Sequence, residues 1–192
     1  LRSLVVGHLS FPTLCLHYPP YHRTDPLAFA TATAHSTLHR FPRASAFVNL
    51  STVPAIDHVF ATLAERDPVI VDCRAASTDI FLDYFAEVQV FEILAMLDAS
   101  LTVVSPVNHE ADSVEQVKII ADTLGARCRY VVVKNQAHSD QFKIYDNSRT
   151  RARVIDELCG REIVMPRLYD WLVTGLNETN LCITEAVGHA EF

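Results

Sequence analysis

Three runs of mainly β-branched residues constrain this chain more than anything else in it. They are Val69-Ile70-Val71-Asp72, Leu101-Thr102-Val103-Val104-Ser105-Pro106-Val107 and Tyr130-Val131-Val132-Val133-Lys134-Asn135. An apolar run with no polar alternation suits a strand covered on both faces, which is the condition of a parallel sheet. Between the runs the apolar spacing changes to three and four, the spacing of a helix with one buried face. Pro54 to Leu63 reads as such a helix, with Pro54 near its first turn and Ile56, Val59, Phe60 and Leu63 on one side. A long helix is predicted from about Asp79 to Asp98, carrying Phe81, Phe85, Val88, Phe91 and Ala95 along one side. Ser113 and Gln116 have the spacing of a capping box, and the helix they start buries Val114, Val117, Ala121 and Leu124 before Gly125 ends it. This alternation predicts an α/β fold in three layers, a mostly parallel sheet flanked by helices with right-handed crossovers.

The remaining segments are read with the same rules. Phe47 to Leu50 is a short strand candidate, and Gln136 to Thr150 reads as a polar connection. A helix is expected over about Arg151 to Leu158, stopping at Cys159-Gly160, then a strand over Glu162 to Pro166. Closing helices are expected at Tyr169 to Val173 and Thr179 to Ala190. Residues 1–45 differ in character, being crowded with His, Pro, Ser and Thr and weak in apolar periodicity after a strand candidate at Leu4-Val5-Val6. The division expected is therefore 1–45 as an atypical, disordered or out-of-frame segment and 46–192 as the α/β domain. With leucine as its first residue, the chain is expected to be a fragment, incomplete at the N-terminus.

At 192 residues the chain is long enough for one domain with a substantial core. Its net charge of −7 gives no global attraction to nucleic acid, so any DNA contact has to be local. The basic cluster available for that is Arg149, Arg151 and Arg153, which reads more simply as a solvated helix start offset by Asp146, Asp156 and Glu157. Five cysteines in no metal-ligand spacing read as reduced thiols, which places the protein in the cytoplasm. His35 and His39 have helical spacing but lack an intervening Glu, so no zinc site is expected. No apolar run is long enough to span a bilayer, and no membrane partner is expected.

In parallel sheets ligands sit outside the carboxyl ends of the strands, which is where Asp72 stands. A carboxylate there either holds magnesium beside a bound phosphate or simply ends a strand and caps the next helix. Asp79 with Asp83, and Glu110 with Asp112, are carboxylate pairs best explained as acidic helix starts. His109 and His138 follow strand ends without a Ser or Cys partner pattern and read as loop residues.

Taken in order, Val69 to Asp72, Leu101 to Val107 with Glu110 to Val114, Val131 to Asn135, and Glu162-Ile163-Val164-Met165-Pro166-Arg167-Leu168 resemble segments of the ParA/MinD-type P-loop ATPases. The closest likeness is to the ParA-like proteins of plasmid partition and conjugal mobilisation. The resemblance makes Asp72 the Walker B aspartate, near magnesium and the attacking water. It makes Asn135 the side chain that reads the adenine edge, an amide offering both donor and acceptor, with Met165 and Pro166 enclosing the base. It implies ATP and Mg2+ as cofactors, a homodimer formed around the nucleotides, and a DNA or DNA-processing partner. The departures are equally specific. The family's K-G-G-x-G-K-[ST] loop is absent, no glycine is followed by lysine, and Arg74 replaces the usual proline after the Walker B aspartate. Arg74 is expected to pair with a carboxylate such as Asp79. Without a phosphate cradle, weak nucleotide binding and no appreciable ATP hydrolysis are expected. The alternative is a non-enzymatic scaffold that keeps the ATPase fold within a DNA-processing complex.

Overall fold

The computed structural model describes residues 2–7, 27–30, 45–47, 53–73, 78–179, 181 and 186. Seven strands form one sheet: β1 (Arg2–Gly7), β2 (Leu27–Ala30), β3 (Ser45–Phe47), β4 (Val69–Asp72), β5 (Ala99–Val107), β6 (Arg129–Asn135) and β7 (Arg161–Met165). Their spatial order is β3-β2-β4-β1-β5-β6-β7, and every pairing is parallel. The helices are α1 (Val53–Glu65), α2 (Thr78–Glu87), α3 (Val90–Met96), α4 (Ala111–Leu124), α5 (Lys143–Asp146), α6 (Arg149–Arg151, continued as a π-helix over Ala152–Glu157) and α7 (Asp170–Thr179). The α/β fold expected from the sequence is the fold observed, a parallel sheet flanked by helices.

The uninterrupted apolar runs have the cause proposed for them. On β4, Val69 and Val71 point to one face and Ile70 to the other, and all three are buried. On β6, Tyr130 and Val132 face one way and Val133 the other, again all buried. A strand covered on both sides has no position for an alternating polar residue. The first face joins Leu4, Val6, Val69, Val71, Leu101 and Val103 to Val59, Phe60 and Leu63 of α1, Leu82 and Phe85 of α2, and Val90 and Leu94 of α3. Further along, Val107, Tyr130 and Val132 meet Val114, Val117 and Ala121 of α4 together with Phe142, Tyr145 and Val154.

β1 lies at the centre of the sheet, between β4 and β5. The Ser3 N–H donates to Asp67 Oδ1 at 2.9 Å, tying the start of β1 to the turn before β4. The sheet therefore draws strands from both sides of residue 45. The third strand is Ser45–Phe47 rather than Phe47 to Leu50, whose last residues lie outside those described.

Four local readings are corrected. The single helix over 79–98 is two helices, broken where Gln89 takes φ 52°. Phe85 and Val90 are both buried but five residues apart, so a straight helix would turn Val90 well off the stripe; the break re-aims Val90 and Leu94 at the core. Ala95, expected inside, is exposed. Helix α4 starts at Ala111, two residues before Ser113, so no Ser113–Gln116 capping box forms. Instead the Glu110 N–H and the Ser113 hydroxyl donate to Asn108 Oδ1 at 2.8 and 3.0 Å. The stripe Val114, Val117, Ala121, Leu124 and the stop at Gly125 (φ 55°) are as expected. The polar connection over 136–150 contains α5, and its Tyr145 is fully buried beside Phe142. The closing helix is Asp170–Thr179, so it bridges the gap left between the two expected helices. The second, over 179–190, falls mostly outside the described residues.

Burial also sets the alkaline limit of the fold. The Cys73 thiol is pushed up to about 12 from its ordinary 9.0, by burial and then by the Asp72 carboxylate beside it. Burial, reinforced by Asp57 and Glu87, pushes Tyr84 up to about 12 as well, from 10.0. Burial likewise raises Tyr130 and Tyr145. Between pH 9 and 12 the unfolded chain releases these protons while the folded chain keeps them, so it binds fewer protons and stability falls as pH rises. Urea midpoints measured from pH 8 to 11 are expected to fall steadily above pH 9, the ordinary value of the thiol, and a flat profile would contradict this.

Candidate functional site

Because all strands are parallel, their carboxyl ends line a single edge, and the register fixes which side chains share a face there. Asp72 is level with Gly7, Gly7 with Val104, and Val104 with Val131. Asn135 lies four residues further along β6, an even number, so it is on the same face as Asp72. Met165, level with Asn135, shares that face. It is opposite to the face covered by α1 to α6, which receives Val69, Val71 and Val132.

The two residues are not neighbouring tips: β1 and β5 stand between them. Three inter-strand steps and four residues of rise separate their Cα atoms by roughly 20 Å. Between them the chain diverges. From β1 the chain crosses toward β2, and from β5 it crosses the opposite way toward β6. In open parallel sheets ligands sit beside such a reversal, outside the carboxyl ends of the strands. Gly7 closes β1 at this point, and a Cβ on it would come within 2.3 Å of the Val104 carbonyl oxygen.

Asp72 is half-buried and the next residue, Cys73, returns its N–H to the Gly7 carbonyl at 2.7 Å. One carboxylate is a fitting protein ligand for Mg2+, which keeps most of its waters and takes its remaining oxygens from substrate phosphates. Among the described residues no cluster of three or more His, Cys, Asp or Glu could hold a metal by itself. Asn135 accepts the Ala137 N–H on its Oδ1 at 3.0 Å, which fixes the amide and leaves its NH2 donors facing away from that turn. The Gln136 N–H donates to the Met165 carbonyl at 2.9 Å, closing β6 onto β7 beyond the last register pair. Met165 is buried and Pro166 exposed. The edge thus carries a carboxylate able to take Mg2+ and, on the same face, a fixed side-chain amide, and the sequence has no lysine-bearing glycine loop to hold a phosphate between them.

The arginine cluster is largely committed elsewhere. Arg151 makes a two-pronged pair with Glu162, Nε to Oε1 at 3.0 Å and Nη2 to Oε2 at 2.9 Å. Arg153 pairs with Glu157, and only Arg149 of the three is fully exposed. Glu110 serves the Asn108 turn, and both His109 and His138 lie in loops. Arg74 and the side chain of Asp79 lie outside the described residues.

Sequence reading missed a second group at this edge. Lys134 Nζ reaches Asp146 Oδ1 at 2.5 Å and Glu162 Oε1 at 3.9 Å, and lies 5.9 and 5.6 Å from the ring centres of Phe142 and Tyr145. The Tyr145 hydroxyl is buried with no hydrogen-bond partner. The one available signal was Lys134 itself, a charge at the end of a buried strand with aromatic residues following in an otherwise polar segment. No helix among the described residues is long and apolar enough to cross a membrane. Compared with protein-family models and with curated proteins, the chain matches none.

Proposed function

We propose that this chain is a ParA/MinD-like nucleotide-binding protein that takes ATP with Mg2+ across the carboxyl edge of its sheet. The observation that carries this reading is the placement of Asp72 and Asn135 on one face of that edge, on either side of the β1–β5 reversal and at a span on the scale of an extended nucleotide. In this reading Asp72 holds the magnesium, the Asn135 NH2 donates to the base, and the backbone at Met165 and Pro166 borders it. Binding is weak and hydrolysis negligible, because no lysine-bearing glycine loop supplies the electrostatic stabilisation that phosphoryl transfer requires. The role that goes with it is partition or conjugal mobilisation of plasmid DNA, as a homodimer in the cytoplasm. With Arg151 and Arg153 held by carboxylates, the DNA contact falls to other surfaces or to a protein partner.

A second reading is a scaffold that keeps the fold without the ligand. It is favoured by the apolar side chains exposed around the outer strand: Ile163, Val164, Tyr169, Trp171 and Val173. Large exposed apolar residues gathered in one region mark contact surfaces.

Thermal unfolding with ATP and Mg2+ separates the two. At a hundred times its dissociation constant ATP is expected to stabilise the protein by about 2.7 kcal/mol. Asn135→Ala is expected to abolish the shift, and Asp72→Asn to abolish its magnesium dependence. No shift at millimolar ATP overturns the nucleotide reading and leaves the scaffold.

A further inference from the structure

We propose that Lys134 and Glu162 are positioning residues that hold the Asn135 tip in place. The inference rests on the reading of Asn135 as the nucleotide-facing side chain. Lys134 is one peptide bond from Asn135 but points to the opposite face, where Asp146 holds its ammonium, Glu162 lies 3.9 Å from it and the Phe142 and Tyr145 rings flank it. Glu162 also takes the two-pronged Arg151 pair. The end of β6, the α5–α6 segment and β7 are thereby tied at one point. Side chains of Lys134 and Glu162 are 17% and 20% exposed and those of Asp146 and Arg151 are 44% and 34%, so the network is desolvated at its centre and open to water at its rim. Directly beyond it come the Gln136 N–H bond to Met165 and the Ala137 N–H bond to Asn135 Oδ1. The second of these bonds orients the amide, the first ties the strand end beneath it to β7, and the ionic knot holds the three segments on which they depend.

The test is residue-resolved amide exchange on the full chain, paired with ATP titration. In Glu162→Gln and Lys134→Met the Gln136 and Ala137 amides are expected to lose roughly tenfold more protection than the Val131 and Val132 amides of the same strand. Lys134→Arg is expected to restore them. Leu63→Ala, a core truncation in the cluster around α1 and away from the knot, is expected to lower all four together. Proportional loss at all four amides in Glu162→Gln, or none, overturns the proposal. Where wild-type protein binds ATP, Glu162→Gln is expected to weaken it by roughly tenfold, and unchanged affinity also overturns the proposal. Absence of ATP binding by the wild type removes the nucleotide reading alone, and the exchange comparison still decides whether Lys134 and Glu162 hold the tip.

Discussion

Gly7→Ala is expected to destabilise the protein by about 3 kcal/mol, a large effect for one added methyl group. The added carbon would stand 2.3 Å from the Val104 carbonyl oxygen and 3.1 Å from both its carbonyl carbon and its Cβ. A backbone oxygen cannot rotate aside as a side chain can. Relief requires β1 and β5 to move apart, and β1 is held from the other side by β4. The strain therefore falls on the middle of the sheet, where two parallel ladders share one strand. Gly125→Ala is the informative comparison. There φ is +55° and nothing lies within 4 Å, so the cost is conformational and on the order of 1 kcal/mol. Urea unfolding of both variants checks the pair; a Gly7→Ala loss no larger than that of Gly125→Ala would mean the central strands are not locked as described.

Tyr145→Ala is expected to cost about 3–5 kcal/mol, the scale for emptying a buried aromatic site. Tyr145 is the largest of the fully buried side chains and joins α5 to the core formed by α4, β6 and α6. Tyr145→Phe is expected to act in the opposite direction, gaining on the order of 1 kcal/mol. It keeps the ring and removes a buried hydroxyl that lies near the Glu162 carboxylate but outside hydrogen-bond geometry with it. Denaturant midpoints of the two variants, one lowered and one raised, would establish that the ring holds the segment and the hydroxyl burdens it. Equal losses in both would show that the hydroxyl makes a bond after all.

Much of the architecture was legible in the residues. The runs at Val69, Leu101 and Tyr130 are strands, and the stripe Val114, Val117, Ala121, Leu124 is buried as its spacing requires. The break at Gln89 was not legible, because a three-and-four spacing can be traced through Phe85, Val88 and Phe91 while the core takes Phe85, Val90 and Leu94 instead. Tyr145 was hidden by its neighbours, since a polar average over 136–150 conceals two aromatics that face inward. The offset of Arg153 by Glu157 was legible as neighbours on one helix, whereas Glu162, the partner of Arg151, is brought to it only by the turn into β7.

By itself the sequence determined the class of fold, through uninterrupted β-branched runs alternating with amphipathic helices, and it determined that a lysine-bearing phosphate loop is absent. Local periodicity is enough for that, because burial on two faces or on one writes itself into the order of residues. Only the tertiary structure decided that Arg2–Gly7 is the central strand, that Asp72 and Asn135 share a face across two intervening strands, and that Lys134 is bound to Asp146 beside Glu162. Those facts depend on strand order and register, which are set by the packing of segments far apart in the chain and leave no mark on either segment alone.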